Sequence, residues 1–182
     1  MPFEQALPWS GTWDDLPAAH AASIFFDLAT IALLFLLGRR IRRGRRGTEL
    51  GVLLCFAWAA CPYTAYALES NTNDALVSLG ICAALLCLTA PIPRGITLAL
   101  SAMTKFAPLP LAPLFATYGA TEAGSLRRYA KVVIPFTIAF AITIAVVSFQ
   151  ALQDPGLSTF WHRTIGEQGG RDSPFRDRKS VV

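Results

Sequence analysis

A run of apolar residues from 18 to 37, interrupted only by His20, Ser23, Asp27 and Thr30, ends at Gly38 and a block of six arginines between Arg39 and Arg46. Twenty helical residues are about as long as the hydrocarbon core of a bilayer is thick, and nothing but a helix or a closed barrel satisfies its own backbone there. This run therefore predicts a membrane-crossing helix. The arginines after it predict a cytoplasmic loop, because short loops rich in Lys and Arg stay on that side. A basic block also suits nucleic acid, but apolar runs flank this one and no aromatics interleave with it.

The rest of the chain repeats the pattern. Of 182 residues, 53% are hydrophobic and 15% charged, and the mean hydropathy is +0.45. That balance excludes a large soluble catalytic domain and leaves room for about four or five crossings. Thr48 and Glu49 open a second apolar run, which Pro62 perturbs near its far end, and Tyr63 and Tyr66 follow as interfacial aromatics. The polar turn at 69–74 then leads into a third run over 75–89, with Thr72 or Asn73 placed to cap it and Pro91, Pro93 and Arg94 to close it.

Residues 95–118 are too long for a loop and carry Lys105 in their middle, with Pro108, Pro110 and Pro113 close behind. A straight helix is excluded, since each interior proline removes a hydrogen bond. The expectation is two half-helices, 96–104 and 109–118, meeting at 105–108, a geometry that usually lines a cavity. Arg94 on one side and Arg127, Arg128 and Lys131 on the other place both ends of this pair in the cytoplasm. A last run, 132–152, exits outward at Asp154. The fold class expected is all-α, a polytopic transmembrane bundle with a broken helix pair.

This topology puts the amino-terminal loop, residues 69–74, Lys105 and residues 154–175 on the extracytoplasmic side. An ammonium at a helix centre costs about 2.5 to 3.5 kcal/mol unless it is paired or reaches water. Lys105 accordingly awaits a phosphate, an ion pair with Glu69 or Asp74, or a snorkelling route to the interface. Glu69, Asn71, Asn73 and Asp74 offer carboxylates and amides able to hold sugar hydroxyls, a cation or a basic partner, and equally suit a capping turn. Asp27 lies two turns beyond His20 on nearly the same face, positioned for a buried polar contact. In the tail, His162, Arg163, Glu167, Arg171 and Asp172 stand among glycines, and the arginines suit phosphate. The four cysteines have no histidine at a zinc-type spacing, so no metal site and no cofactor is expected.

The segments ALESNTNDALVSL, SAMTKFAPLPLAPLF and FWHRTIGEQGGRDSPF together resemble membrane proteins of glycosyltransferase family 87, in the glycosyltransferase C superfamily. The resemblance covers nearly the whole chain. It implies an enzyme that moves a sugar, often mannose, from a polyprenyl-phosphate donor to a lipid or glycan acceptor outside the membrane, without nucleic acid. It further implies that Lys105 and Arg171 lie near the lipid phosphate and Glu69, Asn73 and Asp74 near sugar or acceptor, with Arg163 and Asp172 as weaker candidates. The superfamily carries its catalytic Asp in the first outward loop, a region with no counterpart here. Asp14 and Asp15 do not take that role.

Both ends read as cut. The final DRKSVV coincides with one frame of a sequencing adapter, so the expectation is one partial transmembrane domain over 1–175 and a non-native tail over 176–182, inactive alone. Two rivals remain: a transporter or flippase, which also uses broken helices with a midplane charge, and a non-catalytic membrane scaffold.

Overall fold

The computed structural model describes residues 17–70, 72–120 and 126–151, together with 153, 156, 158, 159 and 162. Among these the regular structure is helical throughout, with no strand. Seven helices follow in order: α1 (Pro17–Ile41), α2 (Arg45–Ala59), α3 (Pro62–Glu69), α4 (Asp74–Leu86), α5 (Pro91–Thr104), α6 (Ala112–Thr117) and α7 (Leu126–Ala151). The chain divides into two compact units, Met1–Ile144 and Ala145–Val182, and the packing described below lies within the first.

Helix α1 is apolar on most of its surface, yet its buried positions include Ser23, Asp27, Thr30 and Gly38, while Ile24, Phe25, Leu28 and Leu36 are exposed. This inverted distribution is the signature of a lipid environment, where apolar side chains gain little by turning inward and small or polar ones mediate helix contact. Helices α1 and α7 are each long and apolar enough to cross a membrane, and α2 with α3 makes a third span if the bent pair is counted as one. Helix α4, with 13 residues, is about 20 Å long and falls short of a full crossing.

A tight turn joins α1 to α2 through Gly44, whose φ of 63° is in the left-handed region that glycine reaches without cost. The two helices then meet almost backbone to backbone: a Cβ on Gly38 would lie 2.3 Å from the Gly51 nitrogen, and one on Gly51 would lie 2.7 Å from the Phe35 carbonyl oxygen. Helix α4 packs on α1 and α5. Its contact with α5 runs through Gly80, whose Cβ would come 2.6 Å from that of Ser101, and the Ser101 hydroxyl donates to the Val77 carbonyl at 2.8 Å. Ala84, Leu98, Phe115 and Phe136 form the buried apolar centre where α4, α5, α6 and α7 converge.

The breaks follow the prolines. Helix α3 departs from α2 by 56° because Pro62 has no N–H to continue the ladder and serves as the first residue of a new helix. The expected interruption at 105–108 is present: α5 stops at Thr104, Lys105 is extended with φ −154° and ψ 135°, and the chain resumes with the 3-10 turn Leu109–Leu111 and α6. The first half-helix starts at Pro91, five residues before the expected 96, since Pro91 and Pro93 fall in its first turn, where a missing N–H leaves no bond unmade. The last helix likewise starts at Leu126 and carries Pro135 in its interior.

Candidate functional site

Helix α4 begins at Asp74, next to the α3–α4 turn, and Lys105 directly follows the last residue of α5, so packing α4 against α5 brings the two charges together. Lys105 Nζ donates to Asp74 Oδ1 at 2.7 Å, and Tyr63, in the first turn of α3, donates its hydroxyl to Asp74 Oδ2 at 2.6 Å. The carboxylate is 18% exposed and the lysine 56%. Of the three possibilities open for Lys105, the structure contains the ion pair, and with Asp74. Glu69 is exposed at the end of α3.

The hydrogen bond from Lys105, followed by that from Tyr63, holds the Asp74 carboxyl below the ordinary carboxylate range, against a smaller opposing effect of burial. The same bond to Asp74 raises the Lys105 ammonium above its ordinary value. A carboxylate so occupied on both oxygens is a weak base and a firm anchor. Asp74 also lies in the first turn of its helix, where negative charge is favoured by the exposed N–H groups.

A second polar pair adjoins the first. Asp27, buried to 7% exposure in α1, accepts a hydrogen bond from Trp58 Nε1 at 2.7 Å. A cavity of about 20 Å³, lined by Asp27, Trp58, Tyr63, Thr64, Asp74 and Ser78, lies between the pairs. It has room for one water and not for a sugar. Among the described residues no group of three His, Cys, Asp or Glu side chains converges as a metal site. All four cysteines are free thiols.

Three details differ from the sequence reading. Asn73 occupies the position before α4 but its side chain makes no capping hydrogen bond, and the Thr72 hydroxyl turns back to the Ala67 carbonyl at 3.4 Å, closing α3 instead of opening α4. Asp27 has a polar partner in Trp58, across the α1–α2 contact, which the His20–Asp27 spacing does not indicate. Arg94, read as a loop cation, is 1% exposed. Tyr63 was expected only as an interfacial aromatic; its spacing before Asp74 carries no local signal, because the turn at 70–73 decides whether the two meet. Arg163, Arg171 and Asp172 lie outside the described residues, as do Asn71, Asp14 and Asp15.

Searches of curated proteins and of solved structures return no match. Residues 13–174 match the family model of Glycosyltransferase family 87, a stretch that takes in every helix described above and the Tyr63–Asp74–Lys105 cluster. The chain is a member of glycosyltransferase family 87.

Proposed function

We propose that this chain is the membrane-embedded part of an enzyme that transfers a mannose-like sugar from a polyprenyl-phosphate donor to an extracytoplasmic lipid or glycan. In this reading residues 39–46 face the cytoplasm and residues 69–74 and 154–175 face outward. Family membership supports a sugar donor and acceptor in a membrane setting. The single observation that carries the finer reading is the Lys105–Asp74 ion pair at 2.7 Å, at the break between two half-helices.

The pair suits the following chemistry. An acceptor hydroxyl oxygen attacks the anomeric carbon, the bond from that carbon to the phosphate oxygen breaks, and the electron pair leaves with the polyprenyl phosphate while the hydroxyl proton passes to a base. Charge grows on the phosphate, and a positioned ammonium is worth most at such a place. Lys105, more than half exposed, is free to exchange Asp74 for the phosphate. Asp74, with both oxygens occupied, holds Lys105 ready and orients it. By family resemblance we assign Glu69 and Asn73 to sugar or acceptor and Arg171 to the lipid phosphate, with Arg163 and Asp172 as weaker candidates.

The test is transfer of radiolabelled mannose from polyprenyl-phosphate mannose to membrane lipid by the full-length protein in proteoliposomes. Lys105→Gln is expected to lower turnover about 100-fold, the usual loss when one charge-stabilising donor is removed. Lys105→Arg is expected to retain a part of it. An unchanged rate in Lys105→Gln, or no transfer by the unaltered protein, refutes the reading.

A further inference from the structure

Arg94 is the largest side chain among those fully buried, and it stands in the first turn of the 14-residue helix α5. Its Nη1 donates to the carbonyl of Leu88 and, at 3.5 Å, to that of Tyr118. The guanidinium carbon lies 5.7 Å from the centre of the Tyr118 ring and 5.5 Å from that of Phe136. Among the described residues no carboxylate pairs with it, and its Nε and Nη2 are buried without any hydrogen-bond partner. Tyrosine and phenylalanine faces attract a cation but accept no bidentate hydrogen bonds. A guanidinium taken out of water with two donors idle is a costly arrangement unless something completes it.

The identity of the idle atoms narrows what that something is. Nη2 is the terminal nitrogen on the same side as the Nε–H, so the two unpartnered donors form one edge of the planar fork. That edge offers two near-parallel N–H groups, the geometry that matches two oxygens of a phosphate group. The positive end of α5 adds to the attraction for an anion. We propose that the Nε–Nη2 edge of Arg94 is the binding site of one phosphate-type oxyanion.

The site is separate from the Lys105 cluster. Ten residues of α5, 95–104, intervene, which separates the two by about 16 Å along the helix. It lies instead at the end of the bundle where Arg40 Nη2 donates to Thr89 Oγ1 at 2.7 Å, so the arginine-rich turn after α1 and the start of α5 share one level. An anionic lipid headgroup and a free phosphate present the same chemistry there. The Tyr118 ring lies over the guanidinium and the residue is 47% exposed, so the proposal requires that this ring move aside to admit the ligand.

The experiment uses the full chain, unaltered and as Arg94→Lys, which keeps the charge and loses the two-pronged edge. Lipid retention is read by native mass spectrometry from nanodiscs of phosphatidylcholine with and without phosphatidylglycerol, and thermal stability in detergent is read against inorganic phosphate. Retention of phosphatidylglycerol that falls at least tenfold in Arg94→Lys assigns the site to a lipid headgroup. A rise of Tm with inorganic phosphate that Arg94→Lys loses assigns it to a soluble phosphate. No binding of either by the unaltered protein, or equal binding by Arg94→Lys, overturns the proposal. Should Arg94→Lys fail to fold, Tyr118→Ala decides: removing the cover is expected to speed ligand exchange severalfold, and an unchanged exchange rate overturns the proposal.

Discussion

The contact between α1 and α2 yields the sharpest quantitative prediction, for Gly38→Ala. The added methyl carbon would stand 2.3 Å from the Gly51 nitrogen, 2.4 Å from its Cα and 2.9 Å from the Leu50 carbonyl carbon, whereas ordinary contact begins at 3.4 Å. All three are backbone atoms, so no rotamer change relieves the overlap, and the helices must separate by about 1 Å. Overpacking of this kind costs about 1 to 3 kcal/mol. The rigid backbone puts Gly38 at the upper end, at about 3 kcal/mol, and the gain of about 1 kcal/mol from replacing glycine by alanine within a helix offsets part of it. The expected net loss is therefore about 2 kcal/mol. Gly44→Ala is the control: nothing lies within 4 Å of its Cβ, but its φ of +63° is unfavourable for alanine, with an expected cost of about 1 to 2 kcal/mol. Reversible unfolding in mixed micelles by a denaturing detergent measures both. Because Gly38 and Gly51 share one contact, the Gly38→Ala, Gly51→Ala double variant is expected to lose less than the sum of the singles, since the first separation relieves the second overlap. A Gly38→Ala protein as stable as the parent, or strict additivity in the double variant, refutes the close approach of the two helices.

Two further outcomes follow from the polar pairs. Trp58→Phe removes the hydrogen bond to the buried Asp27 side chain and is expected to destabilise the protein by about 1 to 3 kcal/mol, the range for a buried acceptor left unsatisfied, while Asp27→Leu in the same background recovers part of the loss, as measured by the same unfolding assay. The Asp74–Lys105 pair gives stability a flat plateau between two limbs. Asp74 has a lowered folded pKa, so its contribution is complete above its unfolded pKa and is lost as pH falls through the folded one. Lys105 has a raised folded pKa, so its contribution is complete below its unfolded pKa and is lost as pH rises through the folded one. The stability difference between the parent and Asp74→Asn is expected to be constant from about pH 5 to pH 9 and to shrink at both extremes; a difference that grows on acidification contradicts the pairing.

Helices and their interruptions were legible along the chain because they express local physics. The run before Gly38 reports the cost of moving side chains from water to lipid, and Pro62 and Pro108 report missing donors; both are properties of a residue and its near neighbours. The same locality misread Pro91 and Pro93. A proline that ends one helix and a proline that begins the next look alike until the path of the chain is known, and here α5 begins at Pro91.

Lys105 shows where local reading stops. A lone ammonium in an apolar segment demands a partner on grounds of solvation alone, so the need was visible in the chain. That Asp74 and not Glu69 meets it depends on α4 packing against α5 through Gly80 and Ser101. Tyr63 joins only because Pro62 bends α3 away from α2. Asp27 finds Trp58 because glycines let α1 and α2 approach closely. Arg94 reverses the pattern: its charge, placed between prolines and an apolar run, reads as solvated, yet the convergence of α5, α6 and α7 encloses it. By itself the amino-acid order determined that the chain would be helical, lipid-facing and broken at Lys105, since hydropathy and backbone donors are counted residue by residue. Which charges meet and which one is buried was decided by tertiary structure alone, because a side chain's partner is set by helix packing across tens of residues.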